Sequence, residues 1–532
     1  MLYEDSKGAK ERQMTHAAMT FFRISFCRKT LCQIGLTLTT LAFLWLLPAW
    51  AGAVPASSHY QVQSVYPIPN GSGAGRVLWV KPGTSDTGGN YSGDIASIWS
   101  VDAGGNATAI GPAYGPFPGW KVQSMAVAAD GTTRLQWEIS GVSDTNGTYT
   151  GDTVSVWTLD QTGKVTAIGP AYGPYPSWRD EGFDVAPDNT TRLFWNKQGT
   201  TTNGTYGGDT VTVYTLDKTG AKVGTAPVYG PYSGWRTYNY QIANDSTGRL
   251  FWTYEGTTMT NSDFTTTYSG DTVTIWALDA GGRATAIGPA YGPFSGWRGF
   301  DFQIASDNTT RLLWTYEGST DAKNNYSGNT VSLWAFNAAG KETVMGPSYG
   351  PYPGWRGEYF EIASDNTTRL FWDNSGTYSN GNGTGAYSGD QVSLWTLNTA
   401  CQATANGPAY GPFPGWHTNE FSLAPDNTAR LLWSTPGTTD TSGNYSGDTV
   451  SLWSLDTSGR ETAIGQAYGP YPGWRVSFAY PVTNSVTDLL WLHDTPGSAS
   501  YGYSSDQDEV TLWTLNTANA QTATGPVYGP YN

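Results

Sequence analysis

Cysteine is nearly missing from this chain. There are three in 532 residues, and two of them, Cys27 and Cys32, stand close to the N-terminus. That leaves Cys401 without an internal partner, so neither a disulfide framework nor a cysteine metal site holds the fold, which must stand on packing. Histidine is as scarce. Beyond the N-terminal segment only His59, His417 and His493 remain, scattered along the chain, and no His-Glu-x-x-His, Cys-x-x-Cys or P-loop pattern occurs. Charge is low at 13% of residues, and acids outnumber bases 43 to 28, for a net charge of −15. Such a surface repels nucleic acid and anionic membranes. Long apolar runs are missing too. Ile34 to Leu47 is the longest, about fourteen residues, against the ~20 that a membrane-spanning helix needs.

That run has a setting. Lys7, Lys10, Arg12, Arg23, Arg28 and Lys29 precede it, and Ala49-Trp50-Ala51 or Ala51-Gly52-Ala53 follows as a small-x-small site. The order is that of a secretory signal peptide, here residues 1–53. Cleavage places the mature N-terminus between Ala51 and Ser58 and makes the net charge more negative, −18. The expected location is secreted, periplasmic or at the cell surface, with no membrane span after cleavage; an uncleaved anchor is the alternative.

What the chain has in quantity is repetition. The tripeptide Tyr-Gly-Pro begins at Tyr114, Tyr172, Tyr229, Tyr291, Tyr349, Tyr410, Tyr468 and Tyr528, at spacings of 57 to 62 residues. A period of this length points to a propeller, solenoid or array. The unit from Phe421 to Arg475 shows the pattern. A first strand, A, meets the turn Pro425-Asp426-Asn427. Strand B is the apolar run ending in Trp433, strand C carries Val450, Leu452, Trp453 and Leu455, and strand D ends at Tyr-Gly-Pro. Strands B and C are apolar on both faces, as in a sheet packed between two others. Eight such four-stranded units predict an all-β, eight-bladed β-propeller over 54–532, closed by blade 8 packing on blade 1. An open solenoid would expose two apolar ends. Of 24 tryptophans, all but Trp45 and Trp50 fall at three repeated positions: the end of strand B, strand C, and the loop after Tyr-Gly-Pro.

The Asp-Asn turn, the Arg-Leu-Leu-Trp strand and the Gly-Asp-x-Val-x-Leu-Trp-x-Leu-Asp strand resemble repeats of bacterial secreted β-propeller proteins. In outline the chain is similar to propeller lectins of the tachylectin-like and fucose-binding families, which are also secreted and aromatic-rich. None of their sugar-binding motifs carries over residue by residue, and the Gly-His and Trp-Asp signature of WD40 blades is missing. The resemblance implies a shape and leaves the activity open.

Three columns of residues could carry chemistry. Arg76, Arg134, Arg192, Arg249, Arg311, Arg369 and Arg430 open strand B, with Asp488 in the last unit. The expectation is a pair with aspartates of the C–D turn, such as Asp160, Asp217 and Asp456. The Tyr-Ser-Gly-Asp loop between B and C repeats a carboxylate (Asp94, Asp152, Asp209, Asp271, Asp390, Asp448, Asp508, with Asn329 in one unit). One carboxylate per blade is a poor calcium site, so loop capping or an ion pair is expected, with positive φ at the preceding glycine. The third column follows the loop tryptophan: Lys121, Arg179, Arg236, Arg298, Arg356, His417 and Arg475. Ion pairs with the loop carboxylates or with Asp180, Glu181, Asp301, Glu358 and Glu420 are the alternative to ligand contact. With Tyr175, Tyr232, Tyr352 and Tyr471 these cations belong to the two loops that share one face, and they are the candidate ligand-binding residues. No catalytic residue, metal site or cofactor is expected. The expected function is non-catalytic binding, with carbohydrate as ligand. Alternatives are a scaffold for an extracellular protein partner and a secreted hydrolase or lyase using the channel mouth.

Overall fold

The computed structural model describes residues 61–67, 75–102, 106–145, 147–224, 226–260, 266–321, 325–379, 385–494 and 507–528. The signal segment, the start between Ala51 and Ser58 and the side chains of Glu358, Glu420 and Asp508 lie outside the described residues. The chain is an eight-bladed β-propeller, and among the described residues there is no helix. Blade 5 is typical: A Trp297–Ile304, B Thr310–Tyr316, C Thr330–Phe336 and D Glu342–Tyr349, each antiparallel to the next. Blade 3 departs from this. Its sheet has three strands, and the outer edge is reduced to single bridges, Leu216 with Lys222 and Val211 with Tyr229. Gly224, at φ 71°, interrupts the run that is strand D elsewhere.

Burial follows the alternation of the sequence. Strand B of blade 5 is buried at every position up to Tyr316, and its strand D alternates half-buried and exposed. The core therefore lies between blades. Phe251, Val273 and Ile275 of blade 4 pack with Phe302, Leu312, Trp314 and Phe336 of blade 5. Leu490, Leu492, Val510 and Leu512 of blade 8 pack in the same way on Val77, Trp79 and Val101 of blade 1, which closes the ring.

Polar stitches run along the same seams. The Tyr-Gly-Pro tyrosine of each blade reaches the C–D turn of the next. Tyr410 donates to the Gly459 carbonyl at 3.1 Å and accepts from the Glu461 amide at 2.6 Å. Tyr528 accepts from the Ala107 amide and so spans the closure. Tyr410→Phe removes both bonds, a cost of about 0.5–1.5 kcal/mol because the Glu461 amide is open to water. Lower stability in urea, with faster amide exchange at Glu461, is the expected result; an unchanged exchange rate there would show that the hydroxyl carries nothing.

The arginine column takes different partners from those the sequence suggests. Arg134, Arg192, Arg249, Arg369 and Arg430 are buried and donate to carbonyls of the next blade's A–B turn, at Asn189, Ser246, Asn308, Asn427 and Asn484, at 3.0–3.2 Å. The C–D turn aspartates instead brace their own turns; Asp160 accepts from the Thr162 and Lys164 amides. The reason is reach: the buried guanidinium crosses the seam to a turn carbonyl held in positive φ, as at Asn189 (63°).

Candidate functional site: the loop-bearing face

In a four-stranded meander the B–C and D–A loops leave from one end of the sheet, and in this ring they clasp each other. Asp448 is buried and accepts from the Gly437 amide at 3.1 Å, from the Val476 amide at 2.9 Å and from the Tyr445 hydroxyl. Gly437 belongs to its own B–C loop and Val476 to strand A of the next blade, so one carboxylate caps a loop and joins two blades. Asn329 does the same for Gly357 at 2.9 Å, without a charge. The column is therefore a capping device, as expected. Gly447 before the aspartate has φ 91°, and a Cβ there would lie 1.8 Å from the Tyr471 carbonyl oxygen. Only glycine lets the two loops approach so closely.

The cation column stacks on the loop tyrosines. The guanidinium carbons of Arg179, Arg236, Arg298, Arg356 and Arg475 lie 3.8–4.2 Å from the ring centres of Tyr149, Tyr206, Tyr268, Tyr326 and Tyr445. Lys121 sits over Tyr91 at 5.3 Å, and His417 stacks flat on Tyr387 at 4.0 Å. Six of these tyrosines, all but Tyr326, are thus held by the hydroxyl on the loop aspartate and by the face on a basic side chain from the following blade; the Tyr326 hydroxyl accepts from the Gly318 amide instead. Burial, and then the Asp152 carboxylate, pushes the Tyr149 hydroxyl up to about 12. Ion pairs are a smaller part of this column: Arg236 meets Glu255 at 3.3 Å, and His417 lies 3.9 Å from Asp390.

The aromatic rings of the D–A loop are presented outward. Tyr232, Tyr352 and Tyr471 are 39%, 38% and 36% exposed, and Tyr175 is half-buried. Their inner edges are braced. Tyr352 meets Trp372 at 5.1 Å and Trp395 at 5.7 Å, both edge-on. The loop tryptophans, such as Trp297 and Trp355, are half-buried. Sequence reasoning missed the last residue of strand B, which register places opposite the loop tryptophan: Tyr254 opposite Trp235 and Tyr316 opposite Trp297. The usable signal was its place two residues beyond the buried strand B tryptophan, on the same side of the strand.

One stretch, Gly346-Pro347-Ser348-Tyr349-Gly350, has the spacing of a serine nucleophile elbow. That motif works on a strand-to-helix turn. Here Ser348 lies in an outer strand opposite Ser332, one residue before that strand ends at the D–A loop, and no helix follows it. Among the described residues no group of three or more His, Cys, Asp or Glu side chains could hold a metal ion, and no helix is long and apolar enough to cross a membrane.

No protein-family model matches this sequence, and no curated protein matches it either. Solved structures similar in outline include a eukaryotic initiation factor, at 9% identity and TM-score 0.42 over 88% of this chain and 89% of that one. Another is the WD40 domain of SCAP from fission yeast, at 8% identity and TM-score 0.40 over 82% and 94%. A third is prolyl oligopeptidase B from Galerina marginata, at 8% identity and TM-score 0.41, where 82% of this chain covers 56% of that protein. The function must be read from this chain's own surface.

Proposed function

We propose that this protein is a non-catalytic binding protein that engages carbohydrate across its loop-bearing face. One observation carries the reading: the same face repeats partly exposed aromatic rings, among them Tyr232, Tyr352 and Tyr471, each braced from behind by tryptophans. Rigid rings with an open edge suit the apolar face of a sugar, and Tyr adds a hydroxyl for its polar rim. Near-equivalent sites around a ring add avidity to weak single contacts. Catalysis would need one constellation that breaks the symmetry, and the repeated columns on this face serve as caps and clamps.

A glycan array with the purified protein tests the class of ligand. On the glycan it selects, Tyr352→Ala and Tyr471→Ala should each weaken binding about two- to fivefold, with the melting temperature unchanged. Lost folding with unchanged affinity per folded molecule would make these rings mortar and remove the carbohydrate reading. A different surface favours a scaffold for a protein partner: Ile168, Ile287 and Met345 on the outer strands are 63–65% exposed. A blank array together with a partner blocked by Ile287→Asp would favour that second reading.

A further inference from the structure

The eight blades are not equivalent on this face. Strand B runs into Thr-Tyr-Glu-Gly in two blades, at Thr253–Gly256 and Thr315–Gly318, and these two are neighbours, blades 4 and 5. The others carry Lys81, Ile139, Lys197, Asn374, Thr435 and His493 at the tyrosine position. Tyr254 and Tyr316 are the two most exposed aromatic residues among those described, at 46% and 45%.

Both rings are nevertheless fixed. A Cβ on Gly234 would fall 2.1 Å from Cε2 of Tyr254, and one on Gly296 would fall 2.0 Å from Cε2 of Tyr316, so each ring lies against the bare backbone of the D–A turn. Each also meets the next residue edge-on: Trp235 at 5.9 Å and 72°, Trp297 at 5.8 Å and 67°. A ring already immobilised loses little conformational entropy when a ligand stacks on it. In blade 4 the residues that follow Trp235 and Tyr254 in the chain, Arg236 and Glu255, form an ion pair with both side chains partly exposed. It offers a carboxylate acceptor and guanidinium donors, the complement of a sugar's hydroxyl groups. Two platforms on adjacent blades suit a chain of sugars rather than a single residue. The net charge of −15 disfavours an acidic glycan.

We propose that blades 4 and 5 form the principal subsites for a neutral oligosaccharide, with Tyr254 and Tyr316 as stacking platforms and the Arg236–Glu255 pair binding hydroxyls. This rests on the carbohydrate reading above. Native affinity electrophoresis through gels containing amylose, β-1,3-glucan, β-1,4-galactan or mannan tests it. At least one polysaccharide should retard the protein. The double variant Tyr254→Ala/Tyr316→Ala should weaken that binding about tenfold or more, and Tyr352→Ala/Tyr471→Ala by less. Tyr254→Phe/Tyr316→Phe keeps the rings and should retain most of the retardation, which separates stacking from misfolding. An equal or smaller loss at Tyr254 and Tyr316 than at Tyr352 and Tyr471 overturns the assignment to blades 4 and 5 while leaving carbohydrate binding intact. Binding to acidic glycans alone overturns the neutral ligand. No retardation in any gel, with a blank glycan array, overturns the carbohydrate reading and this inference with it.

Discussion

Replacing Trp314 with alanine should destabilise the propeller by about 3–5 kcal/mol, the range for truncating a large buried aromatic residue. Trp314 is 1% exposed. It touches Phe294 edge-on at 5.4 Å and Trp334 at 5.4 Å, and it belongs to the cluster that joins blades 4 and 5. Neighbouring strands are held on both sides by backbone ladders, so the void cannot collapse far. Equilibrium unfolding in urea, followed by tryptophan fluorescence, gives the number. Tyr316→Ala, two positions along the same strand, is the control: its ring is largely outside the core, and the change should stay within about 0.5–1 kcal/mol. Equal losses at the two positions would mean that the seam is not where the stability lies.

That contrast marks what the sequence makes legible. The tryptophan of strand B recurs eight times at one register, and an apolar residue on both faces of a short strand has few destinations other than an interblade seam. Period, strand count and ring closure followed from the same pattern. The positive φ before the loop aspartate was legible as well, because glycine recurs there with a tight loop on either side. The polar partners were not. Arg134 and Asp160 are near in sequence pattern, yet the guanidinium crosses to Asn189 of the next blade and the carboxylate folds back on its own turn. Hydrogen-bond partners across a seam depend on the stagger between blades, which one repeat unit cannot encode. The cation column shows the same limit. Arg179 was weighed against carboxylates by charge, and it sits over the ring of Tyr149, a residue in the preceding blade. Tyr254 and Tyr316 escaped notice because they interrupt the repeat, and a reading organised by recurrence looks past the positions where recurrence fails.

Asp488 is another such interruption, and it should make the protein less stable as the pH rises from 5 to 8. Seven blades open strand B with arginine; blade 8 has this aspartate, 8% exposed. It sits opposite Tyr480 of strand A and Thr514 of strand C, with the Thr514 hydroxyl 3.4 Å from its carboxylate. Burial, and secondarily the charge of Asp102 in blade 1, pushes its carboxyl up to about 7, from 3.8 for an unhindered aspartate. The folded protein therefore keeps a proton that the unfolded chain has already released. A raised acid of this kind favours the fold fully below pH 3.8, and that contribution is lost as the pH rises through about 7. Between pH 5 and pH 8 the loss amounts to roughly 2–3 kcal/mol at ~1.4 kcal/mol per unit. Asp488→Asn has nearly the same shape and no titration. The difference in urea midpoint between parent and variant should be smallest below pH 4, should already favour the variant at pH 5, and should widen steadily in its favour toward pH 8. Using the difference cancels the self-repulsion that every other carboxylate of this acidic chain adds. Parallel profiles for the two proteins would show that Asp488 stays ionised in the fold, and that a charged group is tolerated where the ring closes.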